Sequence, residues 1–489
     1  MARAIHTRLI LKGVLEAQTP LSLGGDQTGL VADITVARNG LGQIYLPGTS
    51  LAGALRSYSE HLELSAQDRN ALLGWWGGHL ENDSASRFLV DDAPLQGNDP
   101  KLELWHGVGI DREWGTAANG VLYEREVVPR GARFSFNLEL ETGKLAELPL
   151  ARAVMQTLRQ ALSEGRISIG GATTRGLGQI KLTESHASEQ DWSSRAGILA
   201  TLKGQAEDAG PAWQRAQESL QLKLPLIKEI NIFWQPLGPV MSKASRDGLA
   251  VDILPMVSGN GEQVALVLPG SSIKGSLRSQ AEKILRTVLG AGQFPTDRTR
   301  HLVQVELPLV REIFGAAKPA GSEEAGRGRR AALAVASCYS TVNLKRQQWQ
   351  HLVSARSEDP SLVPEELKAM GLVGWRHAFH VAIDRWTGGA AESFLYSGLE
   401  PGPLTWEPIR LRLDLNLLTE EKPALALLYL TLRDLDRGKI ALGFGANRGY
   451  GSLKVDKLGT DLEALKGFPE PPHELEEAFR DWVASAEKA

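Results

Sequence analysis

The chain has 489 residues, 42% of them hydrophobic and 23% charged, with a formal net charge of −4. That length exceeds one ordinary core and points to about two to four domains of soluble, globular composition, while a single cysteine, Cys338, excludes an intrachain disulfide and a cysteine-rich zinc site and is expected to be a buried small hydrophobe. The acidic balance neither announces nor excludes nucleic acid, because a basic groove can sit on an acidic body. The start, MARAIHTRLILKG, lacks the apolar run and cleavage site of a signal peptide. No stretch reaches the ~18 apolar residues of a membrane span, so the expected location is the cytoplasm, with no membrane partner.

In chain order, residues around Leu9 to Val14 alternate as a strand does. After Leu46-Pro47-Gly48, Thr49 or Ser50 can cap a helix with apolar residues at Leu51, Leu55, Tyr58 and Leu62. SRFLVDD, from Ser86, reads as a short strand, and Phe134, Phe136, Leu138 and Leu140 alternate strictly as a longer one. Leu150, Val154, Leu158 and Leu162 recur at helical spacing, with Gly165 as a helix stop. A last strand runs through Ile180 and Leu182. The polar stretch 191–221 reads as a linker that ends in a helix near Trp213–Leu220.

The same order then returns. A strand near Ile230–Trp234 precedes a helix with Ile273, Leu277, Ile284 and Leu285 on one face; Ile409, Leu411, Leu413 and Leu415 alternate; a Leu-rich helix runs from about Pro423 to Gly438; Leu453 and Val455 mark a closing strand. Direct repeats accompany the pattern. LPGTSLAGALRS from Leu46 returns as LPGSSIKGSLRS from Leu268, GIDREWGTAANGVLY around Asp111 as AIDRWTGGAAESFLY around Asp384, and GGATTRGLGQIKL from Gly170 as GFGANRGYGSLKV from Gly443. The chain is therefore two copies of one module, about 1–190 and 222–460, each ordered β-α-β-β-α-β. The expected class is α+β, two tandem ferredoxin-like modules. Residues 318–330 read as a charged Gly-rich loop, and 461–489 as a tail ending in an amphipathic helix with Leu475, Phe479 and Trp482 on one face.

Each repeated motif has a physical reading. The Leu-Pro-Gly turn delivers a helix start, whose free N–H groups can seat a phosphate for roughly 0.3–2 kcal/mol. The residues around it are Thr49, Ser50 and Arg56 in the first copy and Ser271, Ser272, Lys274 and Arg278 in the second. Ala52 stands where the second copy has Lys274. The glycine-dense loops allow close approach of backbone and carry Arg175 and Arg448, but lack the lysine and spacing of a nucleotide P-loop. His377 and His380 with Asp384 suggest a metal site only weakly, being three scattered ligands without a fourth.

These motifs resemble the repeat-associated mysterious protein (RAMP) superfamily, and among it the fused tandem backbone subunits of type III-D-like CRISPR effectors. The resemblance covers almost all of both modules. It implies binding of guide RNA (crRNA) and complementary single-stranded target RNA. It also implies partner subunits of a type III effector, including the large polymerase-cyclase subunit and further backbone subunits. The helix starts and glycine loops would track the guide. The IDR segments would begin protruding β-hairpins, or thumbs, carrying Asp111, Arg112, Trp114 and Leu122, and Asp384, Arg385, Trp386 and Phe394. Those apolar groups would wedge between unpaired nucleotides; core packing is the competing reading. The resemblance places a cleaving aspartate before each LPG turn, at Asp33 in GLVADITV and Asp252 in GLAVDILP, with Asp26 and Asp247 as competitors. The second loop is three residues longer. The chemistry implied is metal-dependent endoribonuclease cleavage, with Mg²⁺ or Mn²⁺ held at Asp33 and Asp252. The rivals are an inert guide-binding subunit, a guide-processing nuclease of the same superfamily, and a protein scaffold without RNA.

Overall fold

The computed structural model describes residues 4–25, 32–77, 85–112, 115–205, 208–222, 224–225, 227–244, 251–259, 261–290, 307–316, 328–354, 362–460 and 472–486. The chain is α+β and divides into two compact units. Unit 1 comprises residues 1–102, 126–173 and 177–225; unit 2 comprises residues 103–125, 174–176 and 226–489.

Unit 1 is built on an antiparallel sheet of four strands, β1 (Thr7–Ala17), β2 (Phe88–Val90), β3 (Arg133–Thr142) and β4 (Ile180–Asp191), in spatial order β2-β3-β1-β4. Alternation decides which face is buried: Leu9, Leu11 and Leu15 of β1 and Phe134, Phe136, Leu138 and Leu140 of β3 all lie in the core. Against that face pack α1 (Gly48–Ser59), through Leu51 and Leu55, and α2 (Leu148–Ser163), through Leu150, Val154, Leu158 and Leu162. Each such side chain contributes roughly 1.5–3 kcal/mol of burial. Residues 191–221 are not a free linker. β4 continues through Asp191, and the helix Gly210–Ser219 buries Trp213 completely, its indole N–H donating to Glu189 at 2.7 Å.

Unit 2 repeats the sheet with β5 (Ile227–Pro236), β6 (Leu333–Val335), β7 (Ile409–Asp414) and β8 (Leu453–Thr460), in order β6-β7-β5-β8. Its helices are α3 (Gly270–Val288), which buries Ile273, Leu277 and Leu285, and α4 (Glu421–Asp436), which buries Leu425, Leu428 and Leu432. Ile284 lies beside that core only partly buried. The tail helix α5 (His473–Ala486) joins the core through Leu475 and Phe479, with Trp482 packed beside them. Cys338 is buried, and burial pushes its thiol up to about 12.

A correspondence the sequence repeats do not reveal links β2 to β6. The residues after each strand, Asp92 and Ser337, accept from the first N–H of the LPG helix: Gly48 N–H to Asp92 Oδ1 at 2.7 Å, and Gly270 N–H to Ser337 Oγ at 3.2 Å. The turn glycine is forced by the same strand. A Cβ at Gly48 would lie 2.4 Å from the Val90 carbonyl oxygen, and one at Gly270 would lie 2.1 Å from that of Val335.

Candidate functional site

Asp33 and Asp252 are both exposed, and the backbone holds them at corresponding stations. In unit 1 the carbonyl after the aspartate, Ile34, accepts from Glu126 N–H at 2.8 Å. In unit 2 Ile253 accepts from Leu399 N–H at 2.9 Å. Glu126 and Leu399 each follow the repeated L-Y of their copy at the same distance, so the longer second loop does not shift the aspartate. Asp252 is further tied down: Oδ2 accepts from Ser397 N–H at 2.6 Å and Ser397 Oγ at 3.1 Å, and its own N–H donates to that hydroxyl at 3.2 Å. Asp26 and Asp247 lie outside the described residues.

His377 was weighed from sequence only with His380 and Asp384 as a metal set, not as a neighbour of Asp252. His377 is half-buried, and its Nε2 is enclosed without a hydrogen-bond partner among the described residues. Burial lowers its pKa, while the nearby Asp252 carboxylate pulls the other way. The signal in the sequence was only a histidine upstream of IDR. Nothing there tells that this strand returns beside the aspartate loop.

At the helix starts the expectations need correction. Neither Thr49 nor Ser50 caps α1. Pro47 occupies the N-cap, and both hydroxyl residues sit exposed in the first turn, as does Ser271 of α3, while Ser272 is half-buried. The cap comes from across the fold, and at α1 it is a carboxylate, which already complements the helix dipole. Lys274 is not a surface cation. It is 6% exposed, and Nζ donates to the carbonyls of Thr174 at 3.2 Å and Leu333 at 2.7 Å. Burial, then the charges of Arg175 and Arg278, hold its pKa well below the ordinary lysine range. Arg278 also turns inward, donating to Glu282 at 2.7 Å and to the Gly315 carbonyl at 2.9 Å. Arg56, paired with Glu60 at 3.2 Å, keeps more of its side chain in solvent.

The IDR segments are hairpin tips, not hairpin starts. The first hairpin joins Glu103–Ile110 to Ala117–Val127, and the second joins Arg376–Ile383 to Ala390–Glu400. At the first tip Asp111 N–H donates to the Thr116 carbonyl at 2.8 Å and Gly115 N–H to the Asp111 carbonyl at 2.9 Å; at the second Asp384 and Gly389, and Gly388 and Asp384, do the same at 2.9 and 2.8 Å. Asp384 is a turn-capping carboxylate, its pKa lowered by the Trp386 N–H and the Thr387 hydroxyl. Trp386, Phe394 and Leu122 are exposed at 96%, 61% and 63%, which excludes core packing for these three. Trp114 lies outside the described residues.

Arg175 and Arg448 are exposed, and each reaches the tyrosine of its copy's L-Y. Arg175 donates to Tyr123 Oη at 3.4 Å, and Arg448 to Tyr396 Oη at 2.6 Å with its guanidinium 5.3 Å from that ring. The glycine loop thus braces the hairpin in both copies. The family model of the RAMP superfamily matches residues 14–181 and 255–454, which span both sets of motifs.

The chain belongs to the RAMP superfamily. A further similarity is to the CRISPR system Cms endoribonuclease Csm3 of Methanocaldococcus jannaschii, 28% identical over 199 residues, covering 36% of this chain and 79% of that protein.

For this RAMP-superfamily chain the metal question turns on donors. Among the described residues no group of three or more His, Cys, Asp or Glu could hold an ion, and His377, His380 and Asp384 form no such set. His380 instead approaches Glu400 at 3.5 Å and Tyr450 Oη at 3.3 Å. A lone carboxylate suits only an ion that keeps most of its waters, as Mg²⁺ does. Among the described residues no helix is long and apolar enough to cross a membrane.

Proposed function

We propose that this chain is a type III CRISPR backbone subunit of two ferredoxin-like modules that holds guide RNA and cuts paired target RNA at two sites. What carries the reading is the duplicated aspartate station, one exposed carboxylate at the same place beside each hairpin. The similarity to an endoribonuclease of a CRISPR system supports it, as does the strand order with two helices on one face in each unit. The guide-tracking surface would use the exposed Thr49, Ser50, Ser271, Arg56, Arg175 and Arg448. Lys274 and Arg278 would serve it indirectly, by holding backbone in place.

Cutting RNA through its own 2′-hydroxyl requires that group to lose its proton, in-line geometry and stabilisation of charge on the phosphate. Asp33 and Asp252 would each hold a hydrated Mg²⁺ or Mn²⁺, which supplies that stabilisation when bound. Ser397 fixes the Asp252 carboxylate and keeps it aimed while target enters. The wedge residues Trp386 and Phe394, with Leu122 in the first copy, would displace a target base and free the backbone at the cut.

The test is the assembled complex with labelled target RNA. Asp33→Ala should erase one cut and Asp252→Ala the other, each by about 10²–10⁴-fold, with target binding retained. A single 2′-deoxy nucleotide at the scissile position should block cutting. If both alanine variants still cut at both positions, the aspartate assignment fails. If the wild type binds target and never cuts, the subunit is a clamp.

A further inference from the structure

The two aspartate stations are alike in backbone and unlike in donors. On the second hairpin His377 lies directly opposite Leu399, and Phe379 directly opposite Ser397, so these four side chains share one face of the strand pair. The strand of Leu399 and Ser397 is also the one that holds the aspartate loop. Leu399 N–H donates to the Ile253 carbonyl, and Ser397 N–H and Oγ both donate to Asp252 Oδ2. Carboxylate and imidazole are therefore fixed to one strand pair, and the Asp252 charge reaches the His377 ring. The Phe379 ring packs on that imidazole, with centroids 4.6 Å apart.

His377 Nε2 is enclosed and has no hydrogen-bond partner among the described residues. Folded proteins seldom leave such an atom unsatisfied unless it has work elsewhere. Burial is the largest influence on this imidazole and favours its neutral form, which carries a lone pair on one ring nitrogen. The first copy has no counterpart. The residue as far before Asp111 as His377 is before Asp384 is Leu104, which offers no donor.

We propose that His377 is the second protein donor of the Asp252 station, which then takes a nitrogen-accepting divalent ion, of the Mn²⁺ or Co²⁺ kind, in preference to Mg²⁺. The inference rests on the reading of Asp252 as a metal-holding carboxylate. Imidazole suits ions of the first transition row, whereas Mg²⁺ keeps to oxygen ligands and most of its waters. Two protein donors leave the other positions to water and to phosphate oxygens of the target, so no third side chain is required. Ser397 is the outer partner that orients the carboxylate. At Asp33, with leucine in the histidine's place, the preference for such an ion is absent.

The experiment is Mn²⁺ binding to the full chain, stripped of nucleic acid, read by electron spin echo envelope modulation, which detects nitrogen bound to the ion. Asp33→Ala isolates the second station. That variant should bind Mn²⁺ with a histidine-nitrogen signal. Adding His377→Gln should erase the signal and weaken Mn²⁺ binding at least about tenfold, with Mg²⁺ binding little changed; an unaltered urea transition of unit 2 shows that the variant is folded. Mn²⁺ bound through Asp252 without a nitrogen signal, or a signal that survives His377→Gln, overturns the inference and leaves Asp252 as a carboxylate site. Mn²⁺ binding that is absent, or that Asp252→Ala does not alter, removes the metal reading of Asp252 itself and the inference with it.

Discussion

Replacing Gly270 by alanine isolates why the LPG turn carries glycine. The added Cβ would sit 2.1 Å from the Val335 carbonyl oxygen and 2.8 Å from that of Arg175. Both obstacles are backbone, and carbon–oxygen contacts rarely close below ~3 Å, so α3 or β6 must move by about 1 Å. Overpacking of this kind costs roughly 1–3 kcal/mol, and the alanine's helix preference returns only about 1 kcal/mol. We expect a net loss of roughly 0–2 kcal/mol from these two effects, raised by a further ~1 kcal/mol if the Gly270–Ser337 bond breaks too. Gly275, five residues along the same helix, has nothing within 4 Å of its Cβ, and Gly275→Ala should gain about 0.5–1 kcal/mol. The assay is urea unfolding of the full chain, resolved into the transitions of its two units. If Gly270→Ala gains stability as Gly275→Ala does, the close approach is not what selects this glycine, and a direct role in approaching RNA becomes the better account.

Glu282→Gln should destabilise unit 2 by about 3–5 kcal/mol, because it leaves two half-buried guanidiniums, those of Arg278 and Arg112, facing a neutral amide; the exposed counterpart Glu60→Gln should cost under about 1 kcal/mol, and denaturant titration compares them. Arg448→Ala should loosen the second hairpin by removing its hydrogen bond and stacking on Tyr396, read as faster proteolytic nicking within residues 376–400 while the core stays protected. His377 has a lowered pKa in the folded chain, so the unfolded chain takes up more protons as pH falls through the ordinary histidine range near 6.5. Its contribution to stability is therefore complete above that range and is lost as pH drops toward the lowered value; His377→Phe should flatten that part of the stability–pH curve, and an unchanged curve would refute it.

The elements themselves were legible because burial has a period. Phe134 to Leu140 alternate and Leu150 to Leu162 recur every four residues, and both segments fold as those spacings require. Internal repetition made the two-module plan visible, and the family resemblance pointed to Asp33 and Asp252 although their loops differ in length. Only tertiary structure could decide which polar groups face water. Lys274 and Arg278 have the sequence of surface cations, yet backbone carbonyls brought from distant segments, with Glu282 one helical turn on, satisfy them inside. Asp92 and Ser337 as caps, Arg112 against Glu282, and His377 beside Asp252 are all contacts between distant segments. Local periodicity records the side a residue turns to the core; it does not record which partner the fold brings to meet it.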